Sequence, residues 1–125
     1  MNSPFIHDDL LLSTPLACSL YHDVAAGLPV IDYHGHLDPA AIAEDRRFDN
    51  LTELWIDPDP YKHRAMRMLG IPEADITGDG DPRARFDRWA TAVPRLLGNP
   101  LYHWTALELK RVFDIDELLS PDTAD

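Results

Sequence analysis

A capping residue directly before a proline marks a helix start at Thr14-Pro15, Asp38-Pro39, Asp59-Pro60, Asp81-Pro82 and Asn99-Pro100. The hydroxyl, carboxylate or amide accepts from free backbone N–H groups of a first helical turn. Proline at the first helical position gives up no hydrogen bond and already holds a helical φ. The spacing predicts helices near 15–26, 39–45, 60–69, 82–92 and 100–112, with shorter turns around 51–55 and 116–119. Within them Leu16, Leu20 and Val24 recur every four residues, and Phe86, Trp89, Ala90 and Val93 every three or four, so each set is expected to line a core. Gly27 and Gly70 fall just past expected helix ends, where a left-handed conformation favours glycine, and Pro94 should stop or kink the fourth helix. Only one strand is expected, near 29–33, over Val30-Ile31-Asp32-Tyr33, and the tail 120–125 reads as unstructured.

A lone strand among helices leaves its backbone groups unpaired unless it joins a sheet. The expected context is therefore a larger α/β assembly in which this strand is the first of a parallel sheet and a long helical excursion follows it. A closed eight-unit barrel takes about 200 to 250 residues, and this sequence has 125, so it is read as a portion of one. At 45% hydrophobic residues, and with no apolar run near the roughly 18 residues a membrane helix needs, it is not a membrane-inserting chain. Its start lacks the basic and then apolar order of a secretory signal, and Cys18 is its only cysteine, so a cytoplasmic, disulfide-free protein is expected. Cys18 itself reads as a small buried hydrophobe. A net charge of −11 argues against nucleic acid as a partner, because such a binder must replace phosphate counterions with basic side chains. A small anionic substrate stays open, since a few converging cations in a pocket can outweigh surface charge.

The chemistry-bearing motif is His34-Gly35-His36, at the end of the expected strand. Residues two apart on extended chain project to one side, so two imidazoles can meet one divalent ion. With six His in the sequence, a His-x-His arises by chance in roughly a quarter of such chains, and its weight comes from standing at a strand end. Asp32 points to the opposite face of that strand. Tyr102, His103 and Trp104 form the densest aromatic cluster and are read as core packing, and His7 and His22 have no partner motif.

Further segments carry a family resemblance. Asp32-Tyr33-His34-Gly35-His36-Leu37, Ala43-Glu44-Asp45, Phe48-Asp49-Asn50-Leu51, the run Tyr61-Lys62-His63-Arg64-Ala65-Met66-Arg67, and Gly98 to Leu109 resemble, in that order, the amino-terminal part of the uronate (glucuronate) isomerases. The resemblance implies an α/β fold for the intact protein, the distorted TIM-like barrel of the amidohydrolase superfamily, of which this portion would be mostly helical with one short strand. It implies an aldose-ketose isomerisation of D-glucuronate to D-fructuronate, and of D-galacturonate to D-tagaturonate, by proton transfer between C2 and C1. It implies a divalent metal, with zinc the expected ion, on His34 and His36, and a third ligand, an Asp of a late barrel strand, that this sequence does not contain. Tyr61 and Lys62 match positions on the substrate side. The sequence departs from many members in having Pro60 in place of His and His63 in place of Trp. No catalytic base is assigned.

For Tyr61 the alternative reading is packing, and for Lys62, Arg64 and Arg67 a solvated helix face. Two alternatives stand beside the isomerase, which this portion alone is not expected to perform. A metal-dependent hydrolase of the same superfamily would also use His-x-His. A noncatalytic helical module would bind a protein partner, either further copies in a homo-oligomer or the remainder of the barrel.

Overall fold

The computed structural model describes residues 4–125 and divides into two compact units, the first ending at His34 and the second spanning 35–125. In the first, helix α1 (Pro15–Asp23) starts where the cap predicts it, with Thr14 Oγ1 accepting from the Ala17 N–H at 3.1 Å. It ends earlier than expected, and a separate single turn, Ala25–Gly27, follows. Gly27 lies inside that turn and does not adopt positive φ, whereas Gly70 does, at +79°. The expected core face of α1 is not buried: Leu16, Leu20 and Val24 are 68%, 57% and 58% exposed. Helical periodicity specifies an apolar stripe but not a surface to cover it. Cys18 is partly buried, with Sγ 3.6 Å from the Leu12 carbonyl oxygen.

The strand expected near 29–33 is absent, and no strand forms among the described residues. Val30, Ile31 and Tyr33 are almost fully exposed. A strand exists only through ladder hydrogen bonds to a neighbour, and among the described residues no ladder forms on this segment. The apolar alternation of the sequence survives without the pairing that would make it a sheet.

The second unit contains α2 (Pro39–Ala43), α3 (Pro60–Met68), α4 (Pro82–Ala92) and α5 (Pro100–Phe113). The side chains of Asp38, Asp59, Asp81 and Asn99 each accept from an N–H two residues on, at 2.9–3.1 Å. Between α2 and α3 the expected turn is a π-helical one, Thr52–Ile56, closed by the Asp57 N–H on the Thr52 carbonyl at 2.8 Å. It is held to the start of α4 by Thr52 Oγ1, which donates to the Pro82 carbonyl at 2.6 Å. Pro94 does end α4, which gives way to a single turn, Val93–Arg95.

Helix α4 is the centre of this unit, packing against the π-turn, α3 and the Glu73–Asp75 turn. Its Trp89 and Ala90 are fully enclosed, together with Ile56, Met66 and Ile76, and Leu101 and Leu109 of α5 join the same core. Tyr102 packs against it as expected, but Trp104, two residues on, is 49% exposed, because two steps of about 100° along α5 turn it to the opposite side of the helix. Helix α5 stops at Asp114 in a left-handed conformation, φ +57°, with its N–H on the Lys110 carbonyl at 3.1 Å. Lys110 Nζ stabilises that cap through Asp114 and Asp116 at 2.8 and 3.1 Å.

The carboxyl-terminal residues are ordered, contrary to the sequence reading. The turn expected at 116–119 is only a bend at Glu117. Leu119 is nonetheless buried and Ala124 packs on the core. Thr123 Oγ1 donates to the Leu118 carbonyl at 2.8 Å, and Arg83 reaches Asp125 at 2.5 Å. One buried leucine anchors a segment whose polar composition carries no sign of structure. No helix among the described residues is long and apolar enough to cross a membrane.

Two outcomes follow from this packing. Trp89→Ala should cost about 3–5 kcal/mol, as large-to-small changes in a closed core do, while Leu16→Ala on exposed α1 should change stability by no more than about 0.5 kcal/mol; urea unfolding of both variants checks the contrast. Glu73 accepts from Arg67 at 2.5 and 2.6 Å and from Thr77 at 2.7 Å, and these bonds hold its carboxyl down at about 2 against an ordinary 4.5. A folded-state pKa below the unfolded one gives stabilisation that is complete above 4.5 and lost as pH falls through about 2. Carbon-detected NMR titration should therefore show a Glu73 midpoint near 2, and a midpoint near 4.5 would mean that the surface pair does not persist in water.

Candidate active site

A cleft of the second unit, about 390 Å³, is lined by His36, Trp55, Asp59, Lys62 and Glu108 and by apolar residues including Leu37 and Phe113. Three local features bring these groups together. The π-turn carries Trp55. The cap of α3 puts Asp59 at the helix start and Lys62 one turn along. Glu108 comes from the middle of α5.

Lys62 is the unusual member, only 3% exposed. A buried ammonium loses hydration worth several kcal/mol and is tolerated only with compensation. Its Nζ donates to Asp59 Oδ2 at 2.8 Å and lies 3.9 Å from Glu108 Oε2. It also sits 4.8 Å above the Trp55 ring and 5.8 Å from that of Trp89, where aromatic faces supply negative potential. Trp55 Nε1–H in turn donates to Glu108 Oε2, so the indole and the carboxylate are held as one wall.

Asp59 uses both carboxylate oxygens. Oδ1 accepts from the Tyr61 and Lys62 N–H groups at 2.9 and 3.3 Å and also lies 3.3 Å from His36 Nδ1, while Oδ2 holds Lys62. Burial pushes this carboxyl up, but the Lys62 hydrogen bond and charge, with the two backbone N–H groups, outweigh it and hold the group below its ordinary range. The cleft thus carries a charged carboxylate and an imidazole beside a buried cation, a set that can bind sugar oxygens or orient an imidazole toward an ion.

The expected site residues are only partly brought together. His36 lines the cleft, and its ring centroid is 5.0 Å from that of Tyr61. Tyr61 is 43% exposed and stacks under Arg64, at 5.6 Å. It does not pack into the core. Arg64 and Arg67 do form a solvated face, but Lys62 does not, since its stem and ammonium point inward under Trp55. Pro60 is the exposed first residue of α3. His34 belongs to the first unit, exposed, with its N–H on Asp32 Oδ1 at 3.0 Å. Among the described residues no three His, Cys, Asp or Glu side chains gather as a metal cluster. His36 still suits a metal ligand, because an imidazole with Nδ1 beside a carboxylate is the usual arrangement of metal-binding histidine. The described residues therefore fit a metal as a partial donor set.

Asp59, Trp55 and Glu108 were missed as site residues by the reading of the sequence, which took Asp59 only as a helix cap. The available signal was the three-residue step from Asp59 to Lys62, which places an acid and a cation on one face of a first turn.

Comparison with known proteins defines the class first. The structure superposes on the crystal structure of uronate isomerase from Thermotoga maritima with a TM-score of 0.87 and 35% identity, over 96% of this chain and 26% of that one. Uronate isomerases of Shouchella clausii and Geobacillus stearothermophilus are 55% and 57% identical to it, over 97% and 96% of this chain. The chain spans about a quarter of the length of the curated relatives it matches, 26% and 25%. Residues 1–125 match the profile of the glucuronate isomerase family. The chain belongs to that family, as the ordered segments around His34-Gly35-His36 and Tyr61 to Arg67 imply.

The buried pair makes a direct test of the cleft. Lys62→Met strands the Asp59 carboxylate and should cost about 3 kcal/mol, the lower end for breaking a buried pair, because two N–H groups still satisfy Asp59. Adding Asp59→Asn should recover part of that loss, since the amide oxygen still caps α3. Urea unfolding measures both, and a loss under about 0.5 kcal/mol for Lys62→Met would place that ammonium in solvent.

Proposed function

We propose that this chain is the amino-terminal portion of a uronate isomerase that, in the full-length protein, interconverts D-glucuronate with D-fructuronate and D-galacturonate with D-tagaturonate. The observation that carries the reading is the family match over residues 1–125, with His36, Asp59 and Lys62 in one cleft as support. The whole protein is expected to be an α/β barrel of the metal-dependent hydrolase type, in the cytoplasm, acting on a small-molecule substrate. Val30, Ile31 and Tyr33, exposed here, would pair with further strands of that barrel, and a homo-oligomer is the expected assembly.

His34 and His36 are the residues that would hold a divalent metal, zinc by expectation, through neutral imidazole nitrogens. When bound, such an ion polarises a carbonyl or hydroxyl oxygen as a Lewis acid. The chain's own residues do the rest of what this portion contributes. Tyr61, half-exposed beside His36, offers a phenol to the sugar acid. Lys62, the other substrate-side position of the resemblance, is paired with Asp59 at 2.8 Å and serves the site by holding that carboxylate beside His36. No base is assigned to the proton transfer between C2 and C1, and this portion by itself is expected to be inactive.

His-x-His also suits a metal-dependent hydrolase, and turnover separates the two. The full-length protein should isomerise glucuronate. His34→Ala and His36→Ala should each lower that rate by more than the roughly 10–100-fold that losing an outer-shell partner costs. Hydrolysis of amides or lactones without uronate turnover would replace the isomerase reading with the hydrolase one.

A further inference from the structure

We infer that Asp59 is a positioning residue that fixes the ring and tautomer of His36, and that Lys62 acts through Asp59 rather than as a substrate contact. The inference rests on the proposed role of His36 as a metal ligand. Its physical basis is that the Asp59 carboxylate has no freedom left. Oδ2 is bound to Lys62 Nζ at 2.8 Å, and Oδ1 accepts from the first-turn N–H of Tyr61 at 2.9 Å. With both oxygens held, rotating the carboxylate breaks either a helix cap or a buried ion pair, so the group is a fixed acceptor. His36 Nδ1 lies 3.3 Å from that acceptor.

An ionised carboxylate can only accept. A neutral imidazole that turns a donor toward it does so with Nδ1–H, which leaves the lone pair on Nε2, across the ring from Asp59. The Tyr61 ring, 5.0 Å from His36 at 55°, limits rotation of the imidazole plane. Lys62 keeps this arrangement in place from beneath. Its side chain is 4% exposed and is held by Asp59, Trp55 and Glu108, so it has little surface left for a substrate and its effect on the site passes through Asp59. The functional cap of α3 and the orientation of His36 are thus one device: the residue that starts the helix also aims the ligand.

The test is made on the full-length protein, with Zn²⁺ alone as probe and affinity read by competition with a chromophoric chelator. Lys62→Met is the reference background, and Asp59→Ser is added to it. Serine keeps the helix cap but is too short to reach His36, and the Met removes the stranded ammonium. The double variant should bind Zn²⁺ about 10–100-fold more weakly than Lys62→Met, the cost of losing an outer-shell carboxylate. An affinity within about twofold of the reference, while His36→Ala still abolishes binding, would overturn the positioning role and leave the metal reading standing. Unchanged Zn²⁺ binding in His36→Ala would instead remove the metal reading, and the positioning role with it. Should the serine variant fail to fold, the unmutated zinc-loaded protein decides: long-range ¹H–¹⁵N spectra should show His36 protonated at Nδ1, and a proton on Nε2 overturns the inference.

Discussion

The cleft depends on a buried charge pair that forms within one turn of helix. Lys62 cannot be enclosed without an anion, and Asp59 supplies it from three residues upstream, where it also ends the search for a cap of α3. Because the same carboxylate satisfies backbone donors, the pair is fully hydrogen-bonded on the acid side, the condition under which a buried ion pair offsets its desolvation. Around it the indoles of Trp55 and Trp89 close the cation from two directions. Trp89 is also a fully buried side chain of the core. Site and core therefore share the contact between Lys62, which lines the cleft, and Trp89, which belongs to the core.

That sharing explains the irregular segment between α2 and α3. A regular α-helical turn at residues 52–56 would present side chains at 100° steps. The π-turn has a wider hydrogen-bond ring, and with it Ile56 is enclosed in the core while Trp55 stays over Lys62. Such turns cluster at functional sites because they re-aim one side chain without ending the element. The contact from Thr52 to Pro82 then ties this turn to the start of α4, so the helix that centres the core also positions the cleft wall.

Much of the helical layout was legible because its signals are local. The caps at Thr14, Asp38, Asp59, Asp81 and Asn99 bond to N–H groups two or three residues away, and Pro94 ends α4 by the same local rule. The core positions of α4 were legible too, since Phe86, Trp89, Ala90 and Val93 share a face with a neighbour to bury it. The same periodicity misled at Leu16, Leu20 and Val24, where the stripe is present and the covering surface is not. In the site, His36 stood out through its motif. Glu108 did not, because its meeting with Trp55 spans 53 residues and leaves no local trace.

What the sequence by itself determined is where each helix begins, the family, and the candidate pair His34 and His36, because capping, proline geometry and motif order act over a few residues. The tertiary structure alone decided that Val30 to Tyr33 forms no strand here, that Leu119 anchors the carboxyl-terminal residues, and that Lys62 points inward to Asp59, Glu108 and two indoles. Each of these turns on whether a distant partner is present to pair a backbone, cover an apolar side chain or neutralise a buried charge. A chain's local pattern states the need for such a partner, and only packing shows whether it is met.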